Sequence, residues 1–121
     1  MRKYYLLLCI ILIAVSNLWS QSNSAEQYIA GITEELQENE VAESTIEEIT
    51  NTLTSWAENK PSINSIEADE LLNYQLVNPM QAAAIHDYRS KNGDLLTPYE
   101  LLYLPTFTKN DIQTLMLFFS F

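Results

Sequence analysis

Side chains that commonly carry catalytic or metal-binding chemistry are scarce in this sequence. Its 121 residues include one histidine, His86, and one cysteine, Cys9. A zinc site needs three or four Cys or His ligands, and a Ser-His-Asp or Cys-His centre would depend on this single imidazole. Asp87 and Glu100 could act as paired carboxylates only around a substrate, and their spacing defines no such site. We therefore predict no catalytic residue, no metal ligand and no cofactor, and a histidine that is exposed or hydrogen-bonded.

Glycine and positive charge are also rare. The chain has 2 Gly, where average usage would give roughly 8. The Gly-rich loops of P-loop and dinucleotide-binding enzymes therefore cannot form. There are 6 Lys or Arg against 16 Asp or Glu, for a formal net charge of −10. The apolar fraction of 47% is that of a folded protein. These values indicate a small acidic helical protein.

The N-terminal residues carry the pattern of a secretory signal peptide. Arg2 and Lys3 precede an apolar run over residues 4–15, which has the length of a signal-peptide hydrophobic region. A transmembrane helix needs about 20 apolar residues, so this run is short for one. The alternative to a cleaved signal peptide is an uncleaved membrane anchor that reaches Trp19. We expect a signal peptide over residues 1–20 and export to the periplasm or the outer cell envelope.

Two regions of different composition follow the predicted signal peptide. Residues 21–59 contain nine Glu and no Lys, Arg or Asp, whereas residues 60–121 contain four basic and seven acidic side chains. Pro61 marks the boundary, because proline cannot continue a helix without losing an N–H bond. We assign residues 21–59 to an acidic helical lead-in and residues 60–121 to a separate domain. Residues 21–121 together carry a net charge of −12.

Two amphipathic helices are predicted in the acidic lead-in. Each begins at a capping-box pattern, Ser24 to Gln27 and Ser44 to Glu47. Apolar residues then recur at helical spacing, with Ile29, Ile32 and Leu36 in the first helix and Ile46, Ile49, Leu53 and Trp56 in the second. We interpret the many Glu side chains as a solvated helix face, with a site for a cation or a basic partner as the alternative.

The second region predicts four short helices, at about residues 65–74, 79–92, 98–103 and 109–119. Their start signals are Ser65, Asn78 before Pro79, Thr97 before Pro98, and Thr108. Gly93 is placed to end the second of these helices in a left-handed conformation. No segment alternates convincingly with period two, so we predict an all-α fold. The expected core residues are Leu71, Leu72, Leu76, Ala83, Ala84, Ile85, Tyr88, Leu101, Leu102, Leu104, Ile112, Leu115, Met116 and Phe119.

A set of residues spaced through positions 63–115 is typical of one known family. They are Ile63, Asn64, Ser65, Glu70, Leu71, Ala84, Ile85, Asp87, Tyr88, Arg89, Asn92, Gly93, Tyr99, Glu100, Leu101, Leu104 and Pro105. On these residues the segment resembles the tandem helix-hairpin-helix module of exported competence-type DNA receptors. It resembles still more closely the helix-hairpin-helix segments at the front of long bacterial envelope proteins. The acidic helices that end at residues 56–59 also resemble the lead-in of those proteins.

The resemblance implies two helix hairpins related by a pseudo-twofold axis. In DNA-binding members each hairpin turn carries a Gly-x-Gly whose amide groups meet a phosphate at the N-terminus of the next helix. This sequence has Leu76 and Asn78 at the first turn, and Thr106 and Thr108 at the second, in place of those glycines. A chain of charge −12 also neutralises phosphates poorly. We therefore expect a module that has kept this fold and lost DNA binding.

The last predicted helix carries more apolar side chains than one face can bury. No residue after Asp111 is charged. If the stripe from Ile112 to Phe119 faces the core, Leu117, Phe118 and Phe121 point elsewhere. Clustered exposed aromatics mark a contact surface, so we predict these three as an interaction surface. The alternative is that the acidic lead-in helices fold back and cover them.

The predicted function is that of an exported, non-enzymatic helix-hairpin-helix module that acts through protein–protein contact. Its partner would be another protein or a C-terminal continuation of the same chain, with no small-molecule substrate. The alternative is a non-sequence-specific DNA-binding protein of the competence-receptor type. Its phosphate-binding residues would then be Asn78, Arg89, Thr106, Thr108 and Lys109. For Arg89 the competing role is to cap helix carbonyls or to pair with a carboxylate in residues 67–70.

Overall fold

A computed structural model describes residues 24–121, so the predicted signal peptide at residues 1–20 lies outside the described part. The described chain is all-α, as predicted, and none of its residues belongs to a β-strand. Across residues 24–121 no helix is long and apolar enough to cross a membrane. The helices are α1 at residues 24–38, α2 at Glu43–Asn59, α3 at Ala68–Asn73, α4 at Pro79–Asn92 and α5 at Lys109–Phe118, with 3₁₀ helices at Ile63–Ser65 and Pro98–Tyr103.

Two helices of the second region, α4 and α5, begin at the predicted caps. The Asn78 side chain accepts from the Gln81 amide at 2.8 Å, and the Thr108 hydroxyl accepts from the Asp111 amide at 3.3 Å. At the other end of α4, Gly93 adopts φ +79° and its amide donates to the Arg89 carbonyl at 2.9 Å. Short polar side chains and one glycine therefore define the limits of α4, as the sequence predicts.

Two predicted helix starts are wrong. Helix α2 begins at Glu43 because the Ala42 carbonyl already accepts from the Ile46 amide at 3.1 Å, so Ser44 lies inside the helix and caps nothing. Ser65 belongs to the 3₁₀ helix Ile63–Ser65 instead of capping α3. The extended backbone of Ile66, at φ −104° and ψ 129°, separates that segment from α3, whose N-cap is Glu67.

The acidic lead-in and the second region share one hydrophobic core. Trp56 of α2 packs against Tyr74 and Phe119, with ring centroids 5.0 Å and 5.2 Å apart. The C-terminus is tied to the linker after α2, because the Ser120 amide donates to the Pro61 carbonyl at 2.9 Å. Aromatic contacts of Trp56 in α2 and of Tyr28 in α1, which packs against Phe118, make both lead-in helices part of one folded unit with the second region.

Three expected core residues are exposed. On α4 the buried face is Gln81, Ala82 and Ile85, so Ala83 points to solvent. In the second 3₁₀ helix the period is three residues, which buries Leu101 and turns Leu102 outward. Met116 is 41% exposed, because the inward stripe of α5 consists of Ile112, Leu115, Phe118 and Phe119.

Candidate functional site

The two turns that the resemblance associates with phosphate lie next to each other. The first joins α3 to α4 and the second joins the 3₁₀ helix Pro98–Tyr103 to α5. A direct bond connects them, since the Gln81 side-chain amide donates to the Thr106 carbonyl at 3.0 Å. The structure therefore brings the N-terminus of α4 and the second turn together, and with them the predicted residues Asn78, Thr106 and Thr108.

Asn78 at the first turn and Thr108 at the second already have hydrogen-bond partners inside the protein. The Asn78 amide donates to the Gln81 side chain at 3.0 Å, which completes a capping box. At the second turn the Asp111 carboxylate accepts from the Thr108 amide at 2.8 Å and from the Thr108 hydroxyl at 2.9 Å. A carboxylate in the first turn of a helix interacts with the positive end of its dipole, the position that a bound anion would take. Asp111 therefore occupies, with its own charge, the place where a phosphate would be stabilised.

Two details of the turns were missed by sequence reasoning. Gln75 adopts φ +63° in the first turn, a left-handed conformation in a residue other than glycine. The Tyr28 hydroxyl of α1 donates to the Gln75 carbonyl at 2.7 Å, so the lead-in holds this turn from outside. In the second turn the Thr106 hydroxyl is buried and has no hydrogen-bond partner within residues 24–121.

Arg89 points into the molecule and serves the backbone. Its Nη1 donates to the Ile66 carbonyl at 2.7 Å and its Nη2 donates to the Ile63 carbonyl. Burial lowers the pKa of the guanidinium, while the nearby carboxylates of Glu67 and Asp94 act in the opposite direction. Of the two competing roles predicted for Arg89, the geometry is that of carbonyl capping.

The other basic residues near the hairpins offer little positive charge to a ligand. Lys91 pairs with Asp87 at 3.0 Å, four residues back on α4. Lys109 is exposed at the first position of α5, two residues before Asp111. His86 lies exposed on α4, and no group of three His, Cys, Asp or Glu within residues 24–121 could hold a metal ion.

Glu100 holds the start of the second 3₁₀ helix. Its carboxylate accepts from the backbone amides of Thr97, at 2.9 Å, and Leu96, at 2.5 Å, and from the Tyr88 hydroxyl at 2.9 Å. These bonds stabilise the charged form and lower the pKa of Glu100, and the same bond to Glu100 raises the pKa of the Tyr88 hydroxyl. Both groups are fully engaged in structural hydrogen bonds.

The predicted C-terminal interaction surface needs a correction at Phe118. This side chain is fully buried, and its ring lies 5.6 Å from that of Tyr28 in an edge-on arrangement. It is buried because α1 folds back over α5, which is the alternative considered for these residues. Leu117 and Phe121 are half-buried at the edge of the same core.

Two apolar surfaces are open to solvent in the described structure. One is a groove of about 580 Å³ between the start of α1, the end of α2 and the outer side of α5, here called the α1–α2–α5 groove. Its lining residues are Ala25, Glu26, Ile29, Thr54, Ala57, Glu58, Lys60, Gln113, Met116 and Leu117. The other lies at the second 3₁₀ helix and the residues before it, where Leu96, Tyr99 and Tyr103 are 78%, 65% and 87% exposed.

Comparisons with protein-family models, curated proteins and solved structures found no match to this chain.

Proposed function

We propose that this chain is an exported, non-enzymatic tandem helix-hairpin-helix module that acts through protein–protein contact in the periplasm or outer cell envelope. Two helical hairpins in the order α3–turn–α4 and 3₁₀–turn–α5 support the fold assignment. The partner is another protein or a C-terminal continuation of the chain. The basic-then-apolar pattern of residues 2–15 supports export.

The observation that carries the proposal is the internal occupation of the hairpin turns. The amides of Asn78 and Thr108 donate to Gln81 and Asp111. In a phosphate-binding turn such groups face the ligand, and here a carboxylate already faces one of them. The Arg89 guanidinium donates to two backbone carbonyls instead of facing a ligand.

The net charge of the chain also supports protein contact over DNA binding. Residues 21–121 carry a net charge of −12, and residues 21–59 contribute nine Glu with no basic residue. Duplex binding depends on the neutralisation of several phosphates by Lys or Arg, because each neutralised phosphate releases counterions. An acidic lead-in packed on the hairpins repels the duplex, so the exposed apolar surfaces are left as the sites of contact.

A second candidate function is non-sequence-specific DNA binding of the competence-receptor type. One observation favours it: the N-terminus of α4, the unpartnered Thr106 hydroxyl and the exposed Lys109 lie around adjoining turns. In this alternative a phosphate would displace the Asp111 carboxylate from the Thr108 amide.

A duplex titration separates the two functions. We expect fluorescence anisotropy with a mixed-sequence duplex at physiological salt to give a Kd no tighter than about 10⁻⁴ M. Lys109→Ala should leave the titration unchanged, as should Lys91→Ala, a matched loss of one exposed lysine. A micromolar Kd that weakens steeply with salt and is lost in Lys109→Ala would establish the DNA-binding alternative.

Export is tested separately by intact mass. Protein recovered from the envelope of a Gram-negative host that expresses residues 1–121 should have lost roughly twenty N-terminal residues. An intact chain beginning at Met1 would instead support the membrane-anchor alternative.

A further inference from the structure

The α1–α2–α5 groove is a concave, mostly apolar surface that lies away from both turns. Its floor is formed by small and flexible apolar side chains, with Ala25 and Ala57 on the two lead-in helices and Met116 on α5. Alanines leave space for an approaching helix, and the unbranched thioether of methionine adapts to different partners. Three helices that line one apolar groove match the helix-in-groove mode of recognition.

The lining of the groove carries more negative than positive charge. Glu26 and Glu58 lie on its rim with one lysine, Lys60. Two of its three walls belong to α1 and α2, and residues 24–59 hold nine Glu and no basic side chain. A field of one sign over an apolar groove attracts a partner of opposite charge and repels one of the same sign.

We infer that the α1–α2–α5 groove binds a basic amphipathic helix of a protein partner. The inference rests on the proposed protein-contact function and gives it a site and a partner chemistry. Apolar side chains of the partner helix would fill the floor beside Met116, while its Lys or Arg side chains would face Glu26 and Glu58. A second copy of this chain is a poorer occupant, since it would bring two acidic lead-ins together, and anionic lipid or DNA would meet the same repulsion.

The probe is a labelled helical peptide of about 14 residues, or four turns, with Leu on one face and Lys on the other. A matched peptide carries Glu at every Lys position. The protein is the one purified from cells that express residues 1–121, with its N-terminus established by mass. We expect the Lys peptide to bind with micromolar Kd, to weaken as salt rises, and to bind at least about tenfold more tightly than the Glu peptide.

Matched variants locate the binding site. Met116→Asn should weaken the Lys peptide by at least about fivefold, because it removes an apolar contact from the floor of the groove. Met80→Asn is the control, since Met80 is also an exposed methionine but lies on α4 outside the groove. Thr54→Trp fills the groove from an exposed position on α2 and should also block the peptide. Circular dichroism and a thermal melt establish that each variant is folded.

The contrary outcomes are specific. Absence of Lys-peptide binding, equal binding of both peptides, or equal effects of Met116→Asn and Met80→Asn would overturn the inference. A dimer in sedimentation that Met116→Asn dissociates, or binding to phosphatidylglycerol vesicles that Met116→Asn abolishes, would also overturn it in favour of another occupant. These results leave the proposed function intact, because that function fails on tight, salt-sensitive binding of duplex DNA.

Discussion

Removal of the Arg89 guanidinium tests whether this residue serves the fold or a phosphate. The side chain joins α4 to the segment that precedes α3, through bonds to the carbonyls of Ile66 and Ile63. These acceptors lie 23 and 26 residues earlier in the chain, so the bonds hold together two parts of the second region that are distant in sequence. In Arg89→Ala both bonds are lost together with the packing of the aliphatic stem.

The expected loss of stability follows from the number and kind of these bonds. A hydrogen bond from a charged donor contributes about 1.5–3 kcal/mol, but the buried guanidinium gives up hydration in return. The Ile63 carbonyl keeps one donor, the Ile66 amide at 3.2 Å. The Ile66 carbonyl loses the Arg89 bond, so we expect Arg89→Ala to lower the free energy of unfolding by about 2–4 kcal/mol. Arg89→Lys should recover part of this, because an ammonium group lacks the forked geometry of the guanidinium.

The assay is urea denaturation followed by circular dichroism, combined with the duplex titration. Lys91→Ala is the matched control, since it removes an exposed cation two residues away whose ion pair with Asp87 contributes no more than about 0.5 kcal/mol. Unchanged stability in Arg89→Ala, together with a tenfold loss of a measurable duplex affinity, would refute the argument. It would show that the guanidinium turns outward to bind phosphate.

Three further predictions concern the glycines, the acid range and the C-terminal helix. Gly93→Ala should destabilise the protein by about 1–3 kcal/mol, because φ +79° with ψ −156° is a region that glycine almost alone adopts. Gly31→Ala, in an exposed and uncrowded position of α1, should instead stabilise the protein by up to about 1 kcal/mol. Equal effects of the two substitutions in chemical denaturation would contradict this prediction. The lowered pKa of Glu100 means that its contribution to stability is present above the ordinary glutamate pKa and is lost as pH falls through the folded-state value. Glu100→Gln should therefore show a smaller loss of stability on acidification, and an unchanged acid profile would show that the three hydrogen bonds to Glu100 do not stabilise its charge. Phe118→Ser should destabilise the protein by at least about 3 kcal/mol, because the side chain is fully buried against Tyr28. A fully stable variant with reduced self-association would instead support the exposed position of Phe118 that the sequence predicted.

The elements set by local chemistry could be predicted from the sequence. Asn78 with Pro79 at one end and Gly93 at the other define α4, and its observed span of Pro79–Asn92 equals the predicted 79–92. Thr97 with Glu100 locates the second 3₁₀ helix in the same way. Such signals depend on residues within four positions of one another, so they can be recognised without knowledge of the fold.

Features that depend on distant contacts could not be predicted. Phe118 is buried in a core where Tyr28, 90 positions earlier, packs against its ring. The positive φ of Gln75 coincides with a hydroxyl donated by the same tyrosine from another helix. The groove likewise depends on how α1 and α2 meet α5, and the spacing of Met116 along its helix predicted burial instead of exposure.

Photo-crosslinking in living cells is the most direct test of whether this protein binds protein through its groove or DNA through its turns. A photoreactive amino acid replaces either Met116, in the groove, or Lys109, the first residue of α5 after the second turn. After irradiation, the account predicts a protease-sensitive adduct at position 116 and no nuclease-sensitive adduct at position 109. A nuclease-sensitive adduct at position 109, with none to protein at position 116, would contradict it.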